Sequence, residues 1–167
     1  MIKRDEGSTL KFSTNSVEET LQIGIQLGRL LRSGDVVCLE GELGAGKTYL
    51  TQGIGRGLGI KQGIRSPSFT LIDEHRWEGG TVLYHIDLYR LQTVPEMLGI
   101  GLTDYLEGPG VCVIEWAERA REIIPPEHLW ITLLPANGDR RDVVMEAAGE
   151  RYETLLRDLQ ALGVESD

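Results

Sequence analysis

The stretch Cys38-Leu39-Glu40-Gly41-Glu42-Leu43-Gly44-Ala45-Gly46-Lys47-Thr48-Tyr49-Leu50 constrains this chain more than any other. Gly41-x-x-x-x-Gly46-Lys47-Thr48 meets every fixed position of a phosphate-binding loop. Such a loop works only between a buried strand and a helix. Its glycines allow positive φ, so that backbone N–H groups curl around phosphate oxygens, and the positive end of the following helix faces the anion. Both flanks are present in the sequence. Val36-Val37-Cys38-Leu39 is a short apolar run suited to a buried strand, and Thr48 to about Leu58 reads as the helix. The nucleotide-binding set is therefore Gly41, Glu42, Leu43, Gly44, Ala45, Gly46, Lys47 and Thr48. Lys47 reaches the β- and γ-phosphates, and the Thr48 hydroxyl ligates Mg²⁺.

The remaining segments fit a sheet around that strand. Ser16-Val17-Glu18-Glu19 is a capping box, followed by Leu21, Ile23, Leu27, Leu30 and Leu31 at helical spacing. Gly53, Gly55, Gly57 and Gly59 weaken the helix after the loop, since each costs about 1 kcal/mol against Ala unless it serves close packing. Phe69 to Trp77 and Val82 to Leu88 read as strands around the hairpin signal Glu78-Gly79-Gly80. Pro95 to Leu106 reads as one or two short helices, and Val111 to Ile114 as another buried strand. Trp116 to Ile124 reads as a helix that stops at Pro125-Pro126. Leu129 to Leu134 and Asp142 to Glu146 flank a second hairpin at Asn137-Gly138-Asp139, and Glu150 to Leu162 is an amphipathic helix. The expected fold is α/β: a phosphate-loop NTPase-like mixed sheet flanked by helices on both faces. At 167 residues, 1–167 is expected to form a single domain.

Charge and composition exclude several classes. The formal net charge of −9 argues against non-specific nucleic-acid binding, which needs surplus Lys and Arg. No apolar run approaches a membrane span, and the N-terminus has no secretory pattern. Cys38 and Cys112 stand in apolar strands with no metal-ligand spacing, so buried reduced thiols and a cytoplasmic location are expected.

A phosphate loop also needs a carboxylate near Mg²⁺, at the end of a nearby buried strand. Asp87 in "VLYHIDLYRL" and Glu115 in "VCVIEWAE" both qualify. Spacing alone does not divide the roles between them. "SPSFT", Ser66 to Thr70, places hydroxyls before a strand, as γ-phosphate-sensing segments do, or is a surface turn. His85 reads as a hydrogen-bonded structural histidine. Trp116 is either core or packed beside the nucleotide or a partner. Arg140-Arg141 either reaches phosphate or base, or is a solvated pair. No Asn-Lys-x-Asp guanine reader is present, so adenine is favoured.

The ordered set "GELGAGKT", "SPSFT", "HIDLYRL" and "IEWAE", with a "TNSVEET" helix start, closely resembles the TsaE (YjeE) family over about residues 10 to 146. The resemblance implies an ATP-hydrolysing subunit required to form N6-threonylcarbamoyladenosine at position 37 of tRNA. That subunit would be a weak ATPase alone and would act with the TsaB–TsaD heterodimer. TsaD would carry the transferase chemistry, and a TsaC-type enzyme would supply threonylcarbamoyl-adenylate. tRNA would be met only indirectly, through the complex, and no membrane is involved. The resemblance places Thr48 and Glu115 at Mg²⁺ and makes Asp87, with Lys47, the catalytic pair for hydrolysis of ATP to ADP. It adds Ser66, Thr70 and Trp116 to the nucleotide site. Ser68 stands where the family often has Thr and keeps the hydroxyl. Nucleotide state would order residues 66–70 and so alter the docking surface. Two other readings remain: a small-molecule kinase, which transfers phosphate to a metabolite, and a non-catalytic nucleotide-binding adaptor, which needs neither Asp87 nor Glu115.

Overall fold

The structure, a computed structural model, describes residues 8–65, 71–77 and 80–164. Ser66, Ser68, Thr70 and the Glu78-Gly79 part of the first hairpin lie outside the described residues. In chain order the elements are β1 (Thr9–Thr14), α1 (Val17–Leu30), β2 (Val36–Glu40), α2 (Lys47–Leu58), β3 (Ile72–Arg76) and β4 (Val82–Asp87). Then follow α3 (Val94–Gly99), α4 (Leu102–Leu106), β5 (Val111–Glu115), a 3₁₀ helix (Ala117–Ile123), β6 (His128–Pro135), β7 (Arg141–Ala148) and α5 (Glu150–Ala161).

Val36 to Leu39 are all buried, which requires sheet neighbours on both edges and cover on both faces. The sheet supplies them in the order β1-β7-β6-β2-β5-β4-β3. β2 pairs parallel with β5 and with β6, and β4 pairs parallel with β5. The outer strands β3, β7 and β1 are each antiparallel to a neighbour, so the sheet is mixed. Alternate residues of β2 then serve two cores. Val37 and Leu39 pack with Leu27, Leu50, Ile54 and Leu155 under α1, α2 and α5. Val36 and Cys38 pack with Met97, Leu102, Leu106 and Ala117 under the short helices. Helices on both faces are thus observed. Both cysteines are buried and free, and burial pushes both thiols up, Cys112 to about 12. Among the described residues no helix is long and apolar enough to cross a membrane.

The Ser16 cap forms, with the return bond of the capping box displaced by one residue to Asn15. The Ser16 hydroxyl accepts from the Glu19 N–H, and the Glu19 carboxylate accepts from the Asn15 N–H at 2.6 Å. The glycines of α2 are explained by its partner. Gly53 and Gly57 face Gly24 and Gly28 of α1, and a Cβ on Gly28 would stand 2.2 Å from the Ile54 carbonyl oxygen. The two helices meet backbone to backbone, so the glycines that weaken the isolated helix create its seat.

Two elements differ from the sequence expectation. β1 was not anticipated; it pairs with β7 from Thr9↔Glu146 to Thr14↔Arg141 and buries Leu10, Phe12 and Thr14. The segment after β5 is a 3₁₀ helix broken at Ala120, not an α-helix, and it starts from a left-handed Trp116. It does stop before Pro125, with Ile124 extended as a pre-proline residue must be.

Candidate functional site

The loop leaves the end of β2 and enters α2 through two left-handed glycines, Gly44 at φ 81° and Gly46 at φ 104°. Gly46 is the N-cap and contributes no side-chain cap, and the positive end of α2 that begins there suits an anion. Arg141 holds the loop's apex from β7. Its Nε donates to the Ala45 carbonyl at 2.9 Å and its Nη2 to the Gly44 carbonyl at 3.2 Å. A planar trans peptide sets C=O and N–H on opposite sides, so fixing the Ala45 carbonyl toward Arg141 turns the Gly46 N–H away from it. Arg141 is thus bonded to the loop's carbonyls rather than free in solvent, whereas Arg140 lies exposed beside Ser13 and Asp142.

Lys47 is 5% exposed. Its ammonium donates to the Gly41 carbonyl and, at 3.0 Å, to the Glu42 carbonyl, and it stands 4.1 Å from the Trp116 ring centroid. Burial lowers its pKa from the ordinary lysine value, and the carboxylates of Glu115, Glu118 and Asp87 oppose that shift. Lys47 is therefore held by neutral partners, two loop carbonyls and an indole face.

Parallel pairing brings the two carboxylates together. Asp87 and Glu115 are register partners at the carboxyl ends of β4 and β5. Glu115 is 3% exposed, and a carboxylate so placed needs donors. Thr48 Oγ1 donates to its Oε1 at 3.4 Å, and His85 Nε2 lies 2.5 Å from its Oε2. Asp87 accepts the Tyr89 N–H at 3.0 Å. Its pKa is raised, chiefly by burial; the Tyr89 N–H opposes the shift and the Glu115 charge adds to it.

Trp116 is the only non-glycine residue with positive φ among the described residues, at 60°. A left-handed L-residue costs about 1–2 kcal/mol, and here the turn brings the indole over Lys47. Tyr89 packs 5.2 Å from Trp116, and Arg119 lies 5.1 Å from the same ring while donating to the Tyr89 and Leu91 carbonyls. The result is a cleft of about 440 Å³ lined by Gly46, Lys47, Thr48, Asp87, Glu115 and Trp116, among others.

The structure thus gathers Leu43 to Thr48, Asp87, Glu115 and Trp116 around the cleft. Gly41 and Glu42 do not line it and accept from Lys47 through their carbonyls, while Ser66 and Thr70 fall outside the described residues. Sequence reasoning did not find the roles of Arg141, Tyr89 and Arg119. Tyr89 within "HIDLYRL" and the Arg pair after the second hairpin were the available signals. The donor set fits Mg²⁺, which prefers hard oxygen ligands and one or two carboxylates alongside phosphates. Among the described residues no cluster of three or more His, Cys, Asp or Glu could hold a metal unaided.

The family model described as "Threonylcarbamoyl adenosine biosynthesis protein TsaE" matches residues 14–143. The Bacillus subtilis tRNA threonylcarbamoyladenosine biosynthesis protein TsaE is 43% identical over 150 residues, covering 90% of this chain and 93% of that protein. The Treponema pallidum protein of the same name is 42% identical over 132 residues, covering 78% and 96%. The crystal structure of Bacillus subtilis YdiB superposes with a TM-score of 0.78 at 39% identity, covering 97% of each chain.

Proposed function

Because the chain belongs to the TsaE family of threonylcarbamoyl adenosine biosynthesis proteins, we propose that it is the ATP-hydrolysing subunit of the machinery that forms threonylcarbamoyladenosine at position 37 of tRNA. The observation that carries this reading is the meeting of Lys47, Thr48, Asp87 and Glu115 in one cleft at the mouth of a phosphate loop.

Each residue then has a role. The loop N–H groups and the start of α2 bind the phosphates of ATP. Lys47 leaves the Gly41 and Glu42 carbonyls for the β/γ-phosphates, which are stronger partners for an ammonium than neutral carbonyls. Thr48 and Glu115 would hold Mg²⁺. When bound, that ion would neutralise the phosphate charge that develops during transfer. Asp87 orients the attacking water and takes up its proton; a burial-raised pKa suits a proton acceptor. Trp116 forms the wall beside the phosphates. ATP and ADP are the ligands, in one phosphate-loop domain over 1–167. The partner is the TsaB–TsaD heterodimer, which carries the tRNA, and hydrolysis supports its repeated turnover. Two buried free thiols suit a cytoplasmic protein.

The test is ATP hydrolysis with and without TsaB–TsaD, for wild type and Lys47→Ala. Turnover stimulated by the heterodimer and abolished in Lys47→Ala is expected. Turnover indifferent to the heterodimer overturns the partner-coupled reading. Phosphate recovered on a small molecule establishes the kinase instead.

A further inference from the structure

We infer that His85 is a positioning residue for Glu115, selecting which carboxylate oxygen is presented to Mg²⁺; this rests on the reading of Glu115 as a metal ligand given above. His85 is wholly buried and lies on β4, two residues before Asp87. Its register partner on β5 is Val113, so it stands diagonal to Glu115 on the same face of the sheet. Glu115 then has two distinct oxygens. Oε2 is engaged by His85 Nε2 at 2.5 Å, and Oε1 faces the Thr48 hydroxyl at 3.4 Å. With Oε2 held by His85, Oε1 is the oxygen beside Thr48 at the end of the phosphate loop. Mg²⁺ demands near-octahedral geometry and takes one oxygen per carboxylate more readily than a spread pair. A fixed, single-oxygen carboxylate is what such an ion requires.

The tautomer follows from the same contacts. A carboxylate oxygen accepts, so the proton of a neutral imidazole belongs on Nε2. Among the described residues the buried Nδ1 has no hydrogen-bond partner, and a proton there would leave a donor orphaned. The Nε2–H tautomer satisfies the carboxylate and orphans no donor. Hydrogen bonds to ligating carboxylates tune metal sites in this way.

A role in packing alone predicts something different from a role in reach. Gln places its amide N–H near the position of Nε2, whereas Asn is too short and Leu has no donor. Mg²⁺ binding to the ADP-bound protein is measured by calorimetry for wild type, His85→Gln, His85→Asn, His85→Leu and Glu115→Gln, with Mg²⁺-free ADP binding and thermal unfolding alongside. Metal affinity about 10- to 100-fold weaker is expected in His85→Asn and His85→Leu, with His85→Gln restoring most of it and ADP affinity without Mg²⁺ preserved in all three. If Glu115→Gln weakens Mg²⁺ binding but the three His85 variants match wild type, or all three weaken alike, the positioning role is overturned and the metal-site reading stands. If Glu115→Gln leaves Mg²⁺ affinity unchanged, both are overturned. Nitrogen NMR of wild type decides without variants. A proton on Nε2 is expected, and an Nε2 without one overturns the inference.

Discussion

Asp87 ends a strand whose preceding residues are all buried, and burial makes its charge costly. The sign of the consequence can be worked out. With a folded pKa above the ordinary carboxylate value, the native protein holds more protons than the unfolded chain between those two values. Asp87 therefore favours folding at low pH, and that contribution is lost as pH rises through the folded pKa. Asp87→Asn removes the titration and keeps an acceptor for the Tyr89 N–H. It should melt higher than wild type at pH 7. The difference should shrink as pH falls through the raised value and vanish below the ordinary one. Thermal unfolding across that range without nucleotide checks this; a gap that ignores pH, or a less stable variant at pH 7, contradicts it. The same substitution should lower ATP turnover by roughly 10²- to 10⁴-fold while nucleotide still binds, as for a lost general base. Functional carboxylates held against their own solvation are a known exchange of stability for activity. Asp87 and Glu115 stood out as candidates in the sequence because an acid after an apolar run is chemically conspicuous. Their partners did not stand out. Lys47 over Trp116, Arg141 on the loop carbonyls and His85 on Glu115 join residues far apart in the chain, and only the strand pairings and the left-handed turn at Trp116 bring them together.

Among the elements, α2 depends most on its surroundings, because it carries Lys47 and Thr48 on its first turn and four glycines within or just after it. Propensity alone counts those glycines against the helix. The spacing Gly24-x-x-x-Gly28 and Gly53-x-x-x-Gly57 is visible in sequence, but that one pair faces the other is a tertiary fact. Gly28→Ala puts a methyl 2.2 Å from the Ile54 carbonyl oxygen and 2.9 Å from the Gly57 Cα, both backbone atoms of α2. The helices must separate to admit it. Overpacking of this kind costs about 1–3 kcal/mol, against about 1 kcal/mol gained in helix propensity. A net loss is expected, at roughly 2–4 °C in Tm per kcal/mol for a chain of this size. Gly99→Ala is the control, since no heavy atom lies within 4 Å of its added Cβ, and it should be neutral or stabilising. Equal melting of the two variants in calorimetry would show that the seam has slack. β1 escaped notice for a related reason. Its alternation consists of only Leu10 and Phe12 plus Thr14, whose hydroxyl is satisfied by Thr20 at 2.7 Å, so its apolar signal is two residues long. The 3₁₀ helix kept the place expected of it, one residue shorter at each end, but not the type, because helical periodicity over seven residues does not separate the two geometries.

At the scale of the whole molecule, β2 lies between two parallel neighbours, and the cleft opens at the carboxyl ends of β2, β4 and β5, where ligands collect in open α/β sheets. Leu43 (77% exposed), Tyr49 and Tyr89 are large exposed apolar side chains, and all three line that cleft. A protein that covers them touches the walls of the nucleotide site and is placed to sense what the site holds. The net charge of −9 points the same way, toward a protein partner rather than direct contact with tRNA phosphates. Affinity for TsaB–TsaD should therefore differ among the ATP-bound, ADP-bound and nucleotide-free forms, by the roughly 5- to 150-fold typical of coupled sites. Linkage makes the expectation stricter. Whatever factor ATP imposes on heterodimer affinity, the heterodimer must impose on ATP affinity, and a hydrolysis-deficient Asp87→Asn protein allows both to be measured at equilibrium. Two unequal factors would mean that hydrolysis or a further state had intervened. Identical heterodimer affinity in all three nucleotide states would end the case for nucleotide-controlled docking, since a ligand with no differential affinity shifts nothing.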